Sequence, residues 1–166
     1  ARHLASQARE PAAHYEHVEI GYNYRLSNLL AALGRAQLAR LDTLIEQRRE
    51  VNRRYRAALE SMKGLEFLPE APGGRSTCWL TCVLLEPKAL GASPTQIREH
   101  LEAGNIEARP VWKPMHLQPV FRDCRVVGGG VAEDLFQRGL CLPSGSSLTA
   151  ADQRRVIDGF LAACRH

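Results

Sequence analysis

A single apolar stripe of helical periodicity runs from Ser27 to about Lys63, and Gly64 follows it as a stop signal. At 100° per residue the apolar side chains of this segment fall within an arc of about 120°. They are Leu30, Leu33, Leu41, Leu44, Ile45, Val51, Tyr55, Leu59 and Met62. The pattern predicts one amphipathic helix about 50 Å long. In a chain of 166 residues such a helix is expected to span more than one packing environment.

The polar face of this segment carries charges of both signs, which favours a solvated face with ion pairs over a DNA-binding helix. The charged side chains are Glu46, Arg49, Glu50, Arg53, Arg54, Arg56 and Glu60. Arg48 is the exception, because its angle places it within the apolar stripe. It is expected either to extend its head group to solvent or to meet a carboxylate.

The rest of the sequence alternates short strands with helices, which predicts an α+β (or α/β) fold with a small sheet covered by helices. A capping box at Ser93–Gln96 begins one helix, and Thr149 caps the last one. The predicted strands cover 66–68, 78–85, 106–109 and 140–142, and a short helix covers 132–138. Three segments are expected: an irregular one over 1–26, the long connecting helix over 27–63 and a small domain over 64–166.

The composition is that of a soluble globular protein, with 45% hydrophobic and 24% charged residues. The sequence contains no run of 18 apolar residues, so no membrane span is predicted. No apolar leader segment is found at its start. The missing initiator Met suggests a fragment. The net charge is +4, and we attribute the excess of arginine over lysine to coding bias rather than to nucleic-acid binding.

Five cysteines are present, with no C-x-x-C pair, which is typical of reduced, buried cysteines in a cytoplasmic protein. We predict no metal site, because neither the cysteines nor the six histidines have ligand spacing.

Two segments could carry chemistry. Residues 21–27 place two tyrosines, an amide and a guanidinium before a helix N-terminus, where an anion would be favoured. The same residues could simply anchor the start of the helix. Residues 109–116 form a loop stiffened by two prolines, with Arg109, Trp112 and Lys113 suited to a diphosphate and a sugar or base. The alternative is a rim loop with one core tryptophan.

With these two segments, the sequence resembles the C-terminal part of the DegT/DnrJ/EryC1/StrS family of PLP-dependent sugar-nucleotide aminotransferases. The matching stretches cover most of the chain from about residue 18. They are GYNYRLSNLLAALGRAQLARLD (21–42), NIEARPVWKPMHLQPVF (105–121) and AEDLFQRGLCLPSGSSLT (132–149). The Trp-Lys-Pro-Met-His loop is similar to the branch that makes UDP-bacillosamine precursors for protein glycosylation. The resemblance implies the small C-terminal domain of a fold-type I PLP enzyme.

The resemblance also implies residue roles. Asn23 would reach the PLP phosphate in the neighbouring subunit of a homodimer, and Arg25 would help to shape that site for substrate. Arg109, Trp112, Lys113 and His116 would contact the nucleotide-sugar as a group. The family's catalytic lysine is expected upstream of residue 1, so the chain alone is expected to be inactive.

The implied reaction is a ping-pong transamination in the cytoplasm, from glutamate to a UDP-4-keto-6-deoxy-N-acetylhexosamine. Two alternatives stay open: a GDP-sugar aminotransferase of the perosamine type, and a non-catalytic regulatory or structural homologue of the family. Neither a nucleic acid nor a membrane is expected as a partner.

Overall fold

The computed structural model describes residues 1–164 and divides into two compact units, Ala1–Asp42 and Thr43–His166. The first unit contains the short helix α1 (Arg2–Ala5) and the longer helix α2 (Asn28–Ala39). Between these helices the chain is irregular, whereas α1 lies within the range 1–26 that the sequence predicts to be irregular throughout. The segment after α1 runs antiparallel to the Tyr-Asn-Tyr segment, with an isolated bridge between Ser6 and Asn23.

The long segment from 27 to 63 is two helices rather than the single helix predicted. Helix α2 ends at Ala39, and α3 runs from Leu41 to Leu59. Arg40 interrupts them with φ −105° and ψ 3°, and its N–H donates to the carbonyl of Gln37 at 3.1 Å, three residues back. A tightened last turn of this kind is common at helix ends and leaves no periodicity signal in the sequence.

The predicted apolar stripe is buried only in its C-terminal half. Val51, Tyr55 and Leu59 of α3 are at most 2% exposed, whereas Leu30 and Leu33 of α2 are 55% and 57% exposed. Helix α2 has no buried residue. The periodicity therefore identifies the apolar face correctly, but not what covers it.

Four short antiparallel strands form the sheet of the second unit, in the order β1-β2-β4-β3. They are β1 (Leu65–Phe67), β2 (Thr81–Leu85), β3 (Arg109–Pro110) and β4 (Gly139–Leu142). Two strands are shorter than predicted. Cys78 has φ 48°, so β2 begins only at Thr81, and Asn105 has φ 54° ahead of β3.

Helices flank this sheet: α4 (Pro87–Leu90), α5 (Pro94–Ala103), α6 (Val131–Arg138) and α7 (Ala150–Ala163). Two 3-10 turns, Met115–Leu117 and Pro119–Phe121, lie in the loop between β3 and α6. The capping box at Ser93–Gln96 is present, and Thr149 caps α7. The predicted α+β class is therefore confirmed.

The core of the second unit gathers apolar side chains from α3, the sheet, α5 and α7. Val83 and Leu85 of β2 and Leu140 and Leu142 of β4 belong to it. Because side chains alternate along a strand, Cys82 and Cys141 point away from this core. Polar groups inside the unit are mostly paired: the hydroxyl of Tyr55 donates to the carbonyl of Pro143 at 2.9 Å.

Burial by the surrounding apolar side chains raises the pKa of the Tyr55 hydroxyl, which therefore stays protonated and keeps donating this hydrogen bond.

Candidate functional site

The loop that leaves β3 borders a cavity of about 510 Å³ on the second unit. Of the residues predicted from sequence, Arg109, Trp112 and Lys113 line this cavity. The remaining lining residues come from the β2 entrance, β3, α6 and β4: Trp79, Leu80, Glu107, Pro110, Val111, Phe136, Cys141, Leu142, Pro143 and Ser144. A mostly apolar cleft with a few polar groups is typical of a small-molecule site.

The two tryptophans of the chain meet in this cavity. Their rings stack with centroids 6.0 Å apart and planes 27° apart. Both side chains stay largely accessible, at 60% for Trp79 and 64% for Trp112. Arg48 helps to fix the first of them, because its Nη1 donates to the carbonyl oxygen of Trp79 at 2.8 Å. The arginine expected to reach solvent or a carboxylate thus binds a backbone carbonyl at the cavity entrance.

The charge at this site is positive and partly compensated. The guanidinium of Arg109 forms an ion pair with Glu107, and both side chains are exposed. Lys113 is exposed as well, and among residues 1–164 it has no carboxylate partner. Lys113 is therefore the cation that is free to bind an incoming anion.

The floor of the cavity is held by a buried hydroxyl. The Oγ of Ser144 accepts a hydrogen bond from the backbone N–H of Thr81 at 2.8 Å and donates to the carbonyl of Leu142 at 2.7 Å. These bonds tie the start of β2 to the end of β4 where both border the cavity. Ser144 is thus a structural residue of the site.

His116 is not among the residues that line the cavity. Its Nε2 lies 2.9 Å from Oε1 of Glu133 on α6, and the imidazole is half-buried. A second contact lies nearer the start of the same loop, where the side chain of Val111 packs directly against the backbone of Gly139. The approach is so close that a Cβ at Gly139 would collide with Val111. The loop that presents Trp112 and Lys113 is therefore held by one contact before these residues, at Val111, and by one after them, at His116.

Asn23 and Arg25 belong to the first unit. Both side chains are exposed, and among residues 1–164 the amide of Asn23 has no hydrogen-bond partner. The backbone around it is well fixed: Tyr24 N–H donates to the Ala5 carbonyl at 3.1 Å. The rings of Tyr22 and Tyr24 stack at 5.4 Å, on either side of Asn23. This arrangement offers a free amide on an ordered backbone.

A second cavity, of about 440 Å³, is lined by Arg49, Arg53 and Arg56 of α3. Each of these arginines has a carboxylate partner, and the hydrogen bond that Arg49 donates to the carboxylate of Glu70 raises the pKa of Arg49. Helix α3 also carries an ion pair between Arg54 and Glu50. The ion pairs agree with the expectation, but Arg49 and Arg56 also donate to the carbonyls of Ser76 and Leu68, so this face is partly covered rather than fully solvated.

The comparisons with known proteins identify the family. Residues 1–161 match the DegT/DnrJ/EryC1/StrS aminotransferase family. The chain belongs to this family. EpsN of Bacillus subtilis (strain 168), named as a pyridoxal phosphate-dependent aminotransferase, is 52% identical over 165 residues, which are 97% of this chain and 42% of EpsN. GDP-perosamine synthase of Caulobacter vibrioides is 35% identical over 157 residues, 94% of this chain and 42% of that protein.

The fold agrees with that of solved family members. The crystal structure of a DegT DnrJ EryC1 StrS aminotransferase from Brucella abortus superposes with a TM-score of 0.80 at 27% identity. The match covers 99% of this chain and 43% of that one. The chain thus spans about two fifths of the length of the relatives it matches. Among residues 1–164, no helix combines the length and the apolar character needed to cross a membrane.

Sequence reasoning missed the lining residues outside the loop, among them Trp79, Glu107, Phe136 and Ser144. One signal could have found Trp79, since the chain has only two tryptophans and the other was already a candidate. No sequence signal marks the other three, because their role depends on how β2, β4 and α6 come together.

Proposed function

We propose that the whole protein is a PLP-dependent aminotransferase that moves an amino group from glutamate to a UDP-4-keto-6-deoxy-N-acetylhexosamine. Membership of the DegT/DnrJ/EryC1/StrS family supports the reaction class. The observation that carries the substrate assignment is the cavity with two stacked tryptophans and the cations Arg109 and Lys113. This combination suits a nucleotide-sugar, which has aromatic, sugar and diphosphate parts.

Each residue predicted in the loop after β3 has a proposed task. Lys113 binds the diphosphate as a point charge, and Arg109 joins it by turning from Glu107. Trp112 offers its face to the base or the sugar. His116 positions the loop through its contact with Glu133. This contact keeps Trp112 and Lys113 at the cavity.

Asn23 is the residue of this chain that we propose to hold the cofactor. Its exposed amide, without a partner among residues 1–164, fits a phosphate oxygen as a hydrogen-bond donor. Arg25, two residues on and also exposed, would add positive charge for the substrate at the same place. PLP, when bound, supplies the electron sink for amino transfer. The proposed assembly is a homodimer in which Asn23 completes the site of the neighbouring subunit.

A GDP-sugar substrate is the second candidate, since the chain is 35% identical to a GDP-perosamine synthase. The Trp-Lys-Pro-Met-His loop, with its likeness to the UDP-bacillosamine branch, favours the UDP-sugar. Assays of the whole protein with both 4-keto sugars would decide this. We expect turnover with the UDP-sugar to exceed that with the GDP-sugar, and the reverse order would make the second candidate correct.

We also propose a cytoplasmic location and a role in glycan assembly such as pilin glycosylation. The five free cysteines support the location, because a reducing compartment keeps thiols unpaired. A regulatory homologue without catalysis is not favoured by the match to aminotransferases. If the whole protein transferred an amino group to neither sugar, the regulatory alternative would be favoured again.

The substrate loop can be tested by separating the two half-reactions in the whole protein. We expect Lys113→Ala to raise KM for the nucleotide-sugar about ten- to a hundred-fold, since a hydrogen bond to a charged group contributes about 1.5–3 kcal/mol. Trp112→Ala should raise it several-fold. The glutamate half-reaction should be nearly unchanged, because glutamate needs no nucleotide contacts.

Lys88→Ala is the matched control, because Lys88 is an exposed lysine of α4 outside the cavity. It should leave both half-reactions unchanged. Stopped-flow absorbance of the cofactor follows each half separately. Equal damage to both halves by Lys113→Ala would show that the loop supports the fold or the cofactor instead.

The cofactor contact can be tested with Asn23→Ala and Asn23→Asp. Both keep the bridge to Ser6, which uses only backbone groups. We expect Asn23→Ala to weaken PLP retention about ten- to a hundred-fold, and Asn23→Asp to weaken it further, because a carboxylate repels the phosphate. Equal retention in wild type and both variants would contradict the assignment.

A further inference from the structure

Two cysteines face each other across the sheet of the second unit. Cys82 of β2 and Cys141 of β4 are direct partners in the antiparallel register, and their Sγ atoms lie 3.5 Å apart. The remaining cysteines are Cys78, Cys124 and Cys164. None of these three has another cysteine within hydrogen-bond distance in the part of the chain that the structure describes.

The backbone hydrogen bonds show which kind of cross-strand pair this is. The carbonyl of Cys82 accepts from Leu68 N–H at 3.5 Å, on the β1 side, so the peptide groups of Cys82 point away from β4. The carbonyl of Gly139, two residues before Cys141, likewise accepts from Val111, away from β2. The two cysteines thus form a non-hydrogen-bonded pair.

Non-hydrogen-bonded positions bring opposite residues closest together, with Cα atoms about 4.5 Å apart. A disulfide requires a Cα separation of about 4.4–6.8 Å. The sulfur atoms must therefore approach mainly by side-chain rotation, while the strand register is kept. A disulfide between Cys82 and Cys141 can therefore form in the folded protein, without unfolding of the sheet.

The two thiols differ in accessibility. Cys82 is half-buried and lines the cavity that also contains Arg49, Arg53 and Arg56, whereas Cys141 is buried. A hydrogen bond from the Cys141 thiol lowers the pKa of Cys82 to about 7, and the same contact raises the pKa of Cys141. Cys82 is thus the more accessible thiol and the expected nucleophile, and Cys141 is the thiol beside it.

We propose that Cys82 and Cys141 are a reversible dithiol–disulfide pair that is oxidised by a hydroperoxide. The Cys82 thiolate attacks one peroxide oxygen, the O–O bond breaks, and hydroxide leaves, which takes up a proton to become water. The Cys141 sulfur then attacks the resulting sulfenic acid. The S–O bond breaks, the S–S bond forms, and the thiol proton leaves with the oxygen as a second water.

The electron balance closes with one equivalent of hydrogen peroxide. The two thiols lose two electrons and two protons, and the peroxide is reduced to two waters. A small dithiol reductant reverses the reaction. This inference does not depend on the proposed aminotransferase function, although Cys141 also lines the tryptophan cavity and would move when the bond forms.

The whole protein, or this chain, can be treated with one equivalent of hydrogen peroxide, alkylated and digested with trypsin without reduction. The expected product has lost two hydrogen atoms and joins the peptide 76–88, which contains Cys82, to the peptide 139–154, which contains Cys141. Reduction should separate them. Oxidation confined to the exposed Cys124, with no linked peptides, would overturn the proposal.

Peptide 76–88 also contains Cys78, so Cys78→Ser is the matched control. It should leave the yield of linked peptides unchanged, and loss of the link in this variant would also overturn the proposal. Cys141→Ser should abolish the link and leave the Cys82 sulfenic acid to be trapped by dimedone. Because wild-type mapping alone tests the pair, the proposal stays falsifiable even if this variant fails to fold.

Discussion

The two units use similar helices in different ways. In the second unit, α3 buries Val51, Tyr55 and Leu59 in a core shared with the sheet, α5 and α7. In the first unit, α2 buries none of its apolar side chains, and Leu29 is 84% exposed. The first unit is held instead by backbone hydrogen bonds, such as Gln7 N–H to the Tyr22 carbonyl at 2.9 Å. Amphipathic periodicity therefore specifies a helix and its apolar face, and leaves the burial of that face to other parts of the protein.

Exposed apolar surface on this scale is typical of an interface. Tyr15, Val18 and Ile20, ahead of the Tyr-Asn-Tyr segment, are also at least 75% exposed. This surface supports the proposed dimeric enzyme, in which the first unit would contribute Asn23 to a shared site. The contrast also makes opposite predictions for matched substitutions in the two units.

The largest expected effect separates a core leucine from a surface leucine. Leu85→Ala in β2 removes a fully buried side chain and should lower the free energy of unfolding by about 2–5 kcal/mol. Leu29→Ala in α2 should change it by about 0.5 kcal/mol or less. Urea unfolding of the chain followed by circular dichroism measures both. Comparable losses for the two variants would break the contrast between the units.

Glycine substitutions should have effects of opposite sign. Gly139→Ala places a Cβ against the Val111 side chain and the Leu135 carbonyl, which should cost about 1–3 kcal/mol. Gly34, in the middle of α2, has no atom within 4 Å of an added Cβ. Gly34→Ala should therefore stabilise α2 by about 0.5–1 kcal/mol through lower backbone entropy in the unfolded state.

Helical content and the unfolding midpoint of each variant can be compared with wild type. A destabilised Gly34→Ala variant would mean that something approaches α2 closely, contrary to the open surface seen around it. If Gly139→Ala left the unfolding midpoint unchanged, Val111 would not pack tightly against Gly139, and the loop after β3 would not be held there. Either result would redefine the contrast between the units.

Local signals in the sequence predict much of this fold. The capping box at Ser93–Gln96 and the cap at Thr149 are confirmed because both depend only on residues within one turn. The break at Arg40 and the short β3 were missed, since each depends on backbone geometry that many residues can adopt.

The candidate site shows the same division. Arg109, Trp112 and Lys113 could be selected because the prolines around them mark a stiff loop, and the structure brings all three to one cavity. Trp79 joins them from 33 positions earlier in the sequence, which no local pattern predicts. The pairing of His116 with Glu133 likewise depends on how the loop meets α6.

The last contrast concerns helix caps, and it tests whether each unit is stabilised locally or cooperatively. Thr149 caps α7, whose buried residues belong to the core, so Thr149→Ala should lower the free energy of unfolding of the second unit by about 1 kcal/mol. Ser27 caps α2 through the Leu30 N–H at 3.3 Å, but α2 contributes nothing to a core. Ser27→Ala should therefore increase amide hydrogen exchange only in the first turn of α2 and leave the unfolding midpoint of the second unit unchanged. A fall in that midpoint with Ser27→Ala would show that α2 folds cooperatively with the second unit, and the contrast between a core-stabilised and a locally stabilised unit would be wrong.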